Sequence, residues 1–251
     1  MRSLTAAELL QVWEHGRAEG GVDRALTVLA AACRDRSREQ LARLPVGRRD
    51  ALLFGVRAAT LGPRLKSLAD CPACTTQLEF SLDTGEVCAR IDTDEAAPDQ
   101  VTSSYQLAAD GVELVYRLPD SLDLLALGAC PDAADGRAML VRRCVLSARW
   151  EGEEVSPDQL PTGALALLEV EMAGRDGGAE IDLDLICAAC GHAWRTALDV
   201  AGFFWSEIDA LATRLLGEVA ALAQAFGWCE ADILAMSAAR RRSYLELAGH
   251  G

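Results

Sequence analysis

Four cysteines of this 251-residue chain form two C-x-x-C pairs, at the starts of CPACTTQLEFSLD and CAACGHAWRTALD. In each segment a Leu-Asp dipeptide follows the second cysteine at the same offset. A C-x-x-C turn presents two thiolates on one side of a tight loop, and two such turns complete a tetrahedral zinc site with no open coordination position. The pattern therefore predicts one structural Zn²⁺, bound by Cys71, Cys74, Cys187 and Cys190.

Thiol redox chemistry is the main alternative for these pairs, because C-P-A-C resembles the motif of glutaredoxin-type oxidoreductases. That chemistry requires the first cysteine at the N-terminus of a helix that follows a strand, where the helix dipole lowers the thiol pKa. We predict the opposite order, with a helix over GPRLKSLAD before Cys71 and a strand after it. A redox role also leaves the duplication unexplained, and metal-free turns are the third alternative.

The remaining cysteines lie in apolar or unremarkable segments, and free cysteine packs as a small hydrophobic side chain. We assign that role to Cys33, Cys88, Cys130, Cys144 and Cys229. His192 lies two residues beyond Cys190, but with four thiols present we expect it to support the site or to lie on the surface.

Composition and charge exclude several functional classes. Hydrophobic residues make up 51% of the chain and aromatic residues 5%, so Ala, Leu and Val must form a core that favours helices. The net charge of −14 argues against nucleic-acid binding, because such a surface repels phosphate. The sequence shows no signal peptide and no apolar run of about 18 residues, so we expect a cytoplasmic protein without a membrane span. No phosphate loop, nucleophile elbow or H-E-x-x-H motif is present, and we expect a non-enzymatic protein.

Hydrophobic periodicity predicts an α+β fold, with helical N- and C-terminal regions around a small zinc-ribbon-like β element that carries a mixed α/β insert. The predicted regions are an N-terminal helical region (1–70), the zinc-ribbon-like element (71–83 and 179–200), the insert (84–178) and C-terminal helices (201–251).

Local signals place individual elements within these regions. Thr5 and Glu8 have the spacing of a capping box, and Asp110-Gly111 predicts a β-hairpin. We predict a helix through GRAMLVRRCVLSA in the insert. A long C-terminal helix is expected to begin near Ser206 and to end at Gly227.

Two segments together resemble the baseplate hub assembly family of T-even-type phages, which has relatives in contractile injection systems. They are LPVGRRDALLFGVRAATLGPRLKSLADCPAC and AQAFGWCEADILAMSAARRRSYLEL, the second being the more specific. The resemblance covers the chain up to about Phe80 and the last fifty or so residues, but not the insert. It implies a non-enzymatic assembly factor or structural subunit that contacts baseplate, hub or spike proteins. By position, it implies a partner-binding surface of Trp228, Glu230, Ile233, Arg240, Arg241, Tyr244 and Leu245.

The run Arg240-Arg241-Arg242 leaves alternatives open, because three consecutive arginines point in different directions around a helix. One is a solvated face that pairs with Glu230, Asp232 or Glu246. The other is a docking surface for a protein partner or, in a zinc-ribbon regulator, for a nucleic acid.

Overall fold

The computed structural model describes residues 2–85 and 104–249 and confirms an α+β fold. Its described strands form small antiparallel sheets between helical ends of the chain. None of the described helices combines the length and the apolarity that crossing a bilayer demands.

Four helices open the chain and pack with a long C-terminal helix, and together they form what we call the helical body. Their bounds are α1 (Ala6–Gly16), α2 (Gly21–Ala32), α3 (Arg38–Ala42) and α4 (Val46–Leu61). The predicted capping box of α1 is confirmed: the Thr5 hydroxyl accepts from the backbone N–H of Glu8, and the Glu8 carboxylate accepts from that of Thr5. Buried leucines such as Leu9, Leu29 and Leu41 form the centre of the apolar core.

The segment after α4 is a strand, so the predicted helix over GPRLKSLAD is wrong. Gly62, at φ 94°, ends α4, and β1 (Arg64–Asp70) pairs antiparallel with β2 (Gln77–Asp83). Leu65 points into the core while its neighbours are exposed, which is the alternation of a strand with one buried face. The helices of the N-terminal region therefore end before the first cysteine pair.

A second hairpin follows the insert and carries the second cysteine pair. It consists of β7 (Asp182–Ile186) and β8 (Ala193–Ala197), paired antiparallel from Asp182 opposite Ala197 to Ile186 opposite Ala193. The two hairpins are separate two-stranded sheets. We call them the cysteine hairpins; their description as one zinc-ribbon-like element stays a prediction.

Between the cysteine hairpins lies a four-stranded sheet in the order β3-β4-β5-β6, with a core of its own. Its elements are β3 (Tyr105–Ala109), β4 (Val112–Tyr116), α5 (Ser121–Leu127), α6 (Ala133–Cys144), β5 (Val145–Trp150), β6 (Glu153–Glu154), a 3₁₀ turn (Pro157–Gln159) and α7 (Thr162–Arg175). The predicted hairpin at Asp110-Gly111 is confirmed, with φ of 50° and 77° at the two residues.

The helix predicted through GRAMLVRRCVLSA ends earlier than expected, at Cys144. Val145 begins β5 instead, because it pairs with Tyr116 of β4 and both side chains are buried in the insert core. The local sequence suits either structure, and the neighbouring strand decides between them.

The long helix α8 (Val200–Phe226) begins at an Asp199 cap, whose carboxylate accepts from the backbone N–H of Gly202 at 2.9 Å. The predicted start near Ser206 is therefore wrong. The predicted end at Gly227 is confirmed by its left-handed φ of 70°. Two short helices follow, α9 (Glu230–Ala235) and α10 (Ala238–Leu247).

The insert is joined to the helical body at the N-terminus of α4. The backbone N–H of Val46 donates to the carbonyl of Pro119 at 3.1 Å. The N–H of Gly47 donates to both carboxylate oxygens of Asp176, at 3.0 and 3.1 Å, in the turn after α7. A carboxylate at this helix end satisfies a free N–H and interacts favourably with the helix dipole.

Candidate metal centre

The two cysteine turns have the same backbone hydrogen bonds, at the tips of the two cysteine hairpins. In the first, the N–H of Cys71 donates to the carbonyl of Thr76 at 3.0 Å, and that of Thr75 donates to the carbonyl of Cys71 at 2.8 Å. In the second, Cys187 donates to the carbonyl of His192 at 2.8 Å, and Gly191 donates to the carbonyl of Cys187 at 2.9 Å. The sequence duplication is therefore a structural duplication.

A left-handed residue closes each turn at the same position, just after the second cysteine. It is Thr75 in the first turn, at φ 59°, and Gly191 in the second, at φ 73°. Glycine adopts this conformation without strain, whereas threonine does so rarely.

The two tips face each other and bring all four predicted ligands together. The four sulfur atoms lie within 4.8 Å of one another. Across the hairpins, the Sγ atoms of Cys71 and Cys190 are 3.7 Å apart and those of Cys74 and Cys187 are 3.6 Å apart. A tetrahedral zinc with Zn–S bonds near 2.3 Å requires sulfur–sulfur distances of about 3.8 Å. The donor set and its spacing therefore suit one zinc ion.

Burial differs in the same way within each pair. The first cysteines, Cys71 and Cys187, are buried, whereas Cys74 is half-buried and Cys190 is exposed. A metal here would be shielded on the side of the first cysteines and reachable from solvent on the other.

The thiols influence each other's ionisation. Hydrogen bonds with the hydroxyl and the backbone of Thr76, and then with Cys190, lower the pKa of Cys74 to about 6. A backbone hydrogen bond at His192 lowers the pKa of Cys190, but the sulfurs of Cys74, Cys187 and Cys71, together with desolvation, raise it to about 12. Four sulfurs this close cannot all ionise without a cation between them, which is what a thiolate metal site supplies.

The geometry differs from that of a thiol oxidoreductase because a strand follows Cys71, as predicted, although the segment before it is a strand and not the predicted helix. Cys71 follows strand β1, as redox chemistry would require, but no helix follows it: the chain turns into strand β2. The helix dipole that would activate a redox cysteine is thus missing at both pairs, since Cys187 lies likewise between β7 and β8.

The other predicted cysteine and histidine roles have mixed outcomes. Cys33 and Cys144 are buried, and Cys130 is half-buried. The prediction is wrong for Cys229, which is exposed and donates its thiol hydrogen to Asp232 at 3.1 Å. Cys88 lies outside the described residues. The His192 ring is exposed and stacks with Trp194 at 6.2 Å between centroids.

The residues predicted to bind a partner lie in α9, in α10 and in the turn before them, and some of them are buried. Ile233 is buried. Arg241 is buried too, donating to the Glu218 carboxylate at 2.8 Å and to the Met236 carbonyl at 2.7 Å. Arg241 thus pairs with a carboxylate on α8 rather than with any of the three acidic residues predicted for the arginine run.

The more accessible members form an aromatic cluster that sequence reasoning identified only in part. Trp228 stacks on Phe226 at 4.6 Å between centroids, and Tyr244 meets both rings edge-on. The exposed Arg240 lies over the Tyr244 ring at 5.6 Å, and Leu245 is half-buried. Sequence reasoning missed Phe226 because the distinctive residues of the motif that carried the resemblance begin only after it.

Comparison with known families decides the affiliation of the chain. A family model described as "T4 bacteriophage base plate protein" matches residues 5–205. The chain belongs to this base plate family. The matched residues include the insert, so the expectation that the insert is not covered is wrong; the C-terminal segment that also carried the resemblance lies outside the matched residues. No significant match was found among curated proteins or solved structures.

Proposed function

We propose that this base plate family member is a non-enzymatic assembly factor or structural subunit of the hub in a contractile, phage-tail-like injection system. The observation that carries the proposal is the family match over residues 5–205. Base plate membership supports a structural or assembly role, and the hub, the contractile particle and the absence of catalysis are the parts that we add.

A structural zinc at Cys71, Cys74, Cys187 and Cys190 completes the proposal. Its support is the duplicated turn geometry and the four sulfurs within 4.8 Å. A four-sulfur site leaves no position for substrate, so zinc here would stabilise structure rather than act in catalysis. By joining the hairpins on either side of the insert, it would fix the insert in the fold as a zinc-ribbon-like element does.

The proposed partners are baseplate, hub or spike proteins of the particle, bound through the C-terminal helices. The accessible part of that surface is Trp228, Glu230, Arg240, Tyr244 and Leu245. In this arrangement Ile233 is buried and does not face a partner, and Arg241 holds α10 on α8 through Glu218. Aromatic and arginine side chains are enriched where protein interfaces gain most of their energy.

The proposal is tested by locating the protein in its native host. The chain is tagged, the lysate is sedimented, and mass spectrometry identifies what travels with it. Recovery in sheath-containing particles supports a built-in subunit, and recovery only in light fractions with hub or spike subunits supports a cytoplasmic assembly factor. Recovery with neither overturns the proposal, and a salt-sensitive shift of DNA would then favour a nucleic-acid-binding regulator.

A further inference from the structure

A groove of about 980 Å³ separates helix α1 from α9, α10 and the turn between them. One wall carries Ala6 and Ala7, and the opposite wall carries Ala231, Ala235 and Ala238. We call this surface the alanine groove. Most of these alanines are exposed, so longer neighbouring side chains do not cover them.

The residues on the floor of the groove have partners within the chain. Leu10 of α1 belongs to the main core, with 4% of its surface exposed. Arg241, at the other side of the floor, is fixed by Glu218 and by the Met236 carbonyl. The floor of the groove is therefore formed by side chains that pack or hydrogen-bond within the chain.

Helical walls favour a helical occupant. From Thr5 to Glu14 the α1 wall is about 14 Å long, at 1.5 Å per residue, which matches about two and a half helical turns. Alanine walls let an additional helix approach closely, because the distance between helix axes is set by the side chains at the contact. The groove offers no strand edge to which an extended peptide would add.

The rim sets the charge of the occupant. Glu14 lies on the α1 wall and Glu230 on the opposite wall, and both are exposed. Neither has an ion-pair partner within residues 2–85 and 104–249, whereas Glu8 on the same helix pairs with Arg2 and Arg34. Two unpaired carboxylates on facing walls complement an apolar helix that carries cationic residues on both flanks.

The charge of the whole chain argues against a second copy as the occupant. At a net charge of −14, two copies repel each other, and the repulsion is strongest at low salt. The same charge attracts a cationic partner and speeds its association.

We propose that the alanine groove binds an amphipathic helix of another base plate subunit, with a small apolar face and lysine or arginine along both edges. This inference rests on the proposed assembly role, for which it names the chemistry of the partner. It adds a binding surface formed jointly by α1 and the C-terminal helices, to which the aromatic cluster does not contribute.

The test uses the full-length, zinc-loaded chain and two synthetic helical peptides of about 18 residues, long enough to form a helix alone. Both have an Ala/Leu face; one is flanked by Lys and the other by Glu. Fluorescence anisotropy should show binding of the Lys-flanked peptide only. The double variant Glu14→Lys/Glu230→Lys should weaken that binding about tenfold and should bind the Glu-flanked peptide instead.

Matched variants separate the groove from general charge effects. Ala235→Trp, which fills the groove, should abolish binding, whereas Ala239→Trp, at an exposed alanine of α10 outside it, should not. The double variant Glu39→Lys/Glu153→Lys makes the same charge change at exposed sites elsewhere and should leave binding within about twofold. Equal binding of both peptides, no binding, or binding that survives Ala235→Trp would overturn the inference, as would dimerisation abolished by Ala235→Trp.

Failure of this inference can be told apart from failure of the proposed function. If Ala235→Trp still travels with base plate subunits in sedimentation, the assembly role stands and the groove is not its contact. If the Lys-flanked peptide binds as expected but the native chain travels with no base plate subunit, the groove stands and the assembly role falls.

Discussion

In the helical body, α1 to α4 and α8 enclose a large apolar core, and side chains such as Leu29 and Leu41 are fully buried. The cysteine hairpins differ: across residues 64–83 and 182–197, all of them described, only Leu65, Cys71 and Cys187 are buried. Full burial of one leucine contributes about 1.5–3 kcal/mol, and isolated two-stranded hairpins are marginal in water. The body can thus be stable through its core, whereas the hairpins need another source of stability, which four clustered thiols supply only with a metal.

Removing one of the four cysteine ligands should have the largest effect, and it should affect the cysteine hairpins but not the helical body. We expect Cys71→Ser to reduce bound zinc from one ion per chain to almost none, and to abolish amide protection in both hairpins. Structural zinc contributes about 10–16 kcal/mol of binding free energy in small zinc-finger peptides. Elemental analysis and hydrogen exchange measure the two effects.

The matched control is Cys229→Ser, because Cys229 is exposed and distant in sequence from the four clustered cysteines. It should keep its zinc and its exchange pattern. If Cys71→Ser retained full zinc and protected hairpins, the four-sulfur site would be wrong. If α1 to α4 lost protection together with the hairpins, the two regions would not be independently stabilised.

A substitution in the apolar core should destabilise the helical body and leave the cysteine hairpins unchanged. Leu29→Ala removes a fully buried side chain and should lower the free energy of unfolding by about 2–5 kcal/mol. Urea denaturation followed by far-ultraviolet circular dichroism measures the loss, and zinc content of the folded variant should not change. Leu247→Ala, at a residue 77% exposed, should cost little. Zinc loss from folded Leu29→Ala would mean that the hairpins depend on the body core.

The sequence was sufficient for features that depend on neighbouring residues. The capping box at Thr5 and the end of α8 at Gly227 are set by side-chain hydrogen bonding and by backbone conformation within one turn of helix. The cysteine cluster was predictable as well, because a C-x-x-C turn is local and a four-ligand site requires a second half.

Features decided by a distant partner were not predictable in the same way. Residues 64–70 contain helix-forming Leu and Lys, but they form β1 because β2 pairs with them and Leu65 enters the core. Arg241 in α10 pairs with Glu218 in α8, 23 residues earlier in the chain. The spacing of residues within one helix cannot predict such a pair. Tertiary contacts override local preference in both places.

The joint between the insert and the helical body offers a smaller, local test. A Cβ atom at Gly47 would lie 2.2 Å from the Asp176 carboxylate and 2.6 Å from the backbone nitrogen of Ala179. We therefore expect Gly47→Ala to displace the turn that leads to the second cysteine hairpin, at a cost of about 1–3 kcal/mol.

Denaturation and zinc titration of Gly47→Ala would show whether the joint positions the second half of the metal site. Gly163→Ala is the control, because its Cβ would meet nothing within 4 Å; in α7 it should be neutral or stabilising by up to about 1 kcal/mol. Equal stability of the two variants would mean that the turn after α7 does not pack against α4. Weaker zinc binding by Gly47→Ala alone would mean that the position of the second cysteine hairpin depends on the contact with α4, although few hairpin residues are buried.

The smallest expected effect is a pH dependence at the same joint. Burial raises the pKa of Asp176 to about 6, although the N–H of Gly47 acts in the opposite direction. The folded chain therefore holds this proton more tightly than the unfolded chain, where the pKa is about 3.9. The stability that the protonated form contributes is complete below about pH 4 and is lost as the pH rises to about 6, with a slope of at most about 1.4 kcal/mol per pH unit.

Asp176→Asn isolates this contribution, because asparagine cannot titrate while its side-chain carbonyl can still accept from Gly47. At saturating zinc, the wild-type stability measured relative to the variant should fall between pH 4 and pH 6 and stay constant above pH 7. Other carboxylates, such as Glu8 and Asp123, each with a pKa of about 2, act in both proteins and cancel in the difference. Parallel stability curves would show that the pKa of Asp176 is the same in the folded and the unfolded chain, so that the group is ionised in this turn at neutral pH. The α4 N-terminus would then hold the second hairpin through a charge rather than through a proton-dependent contact.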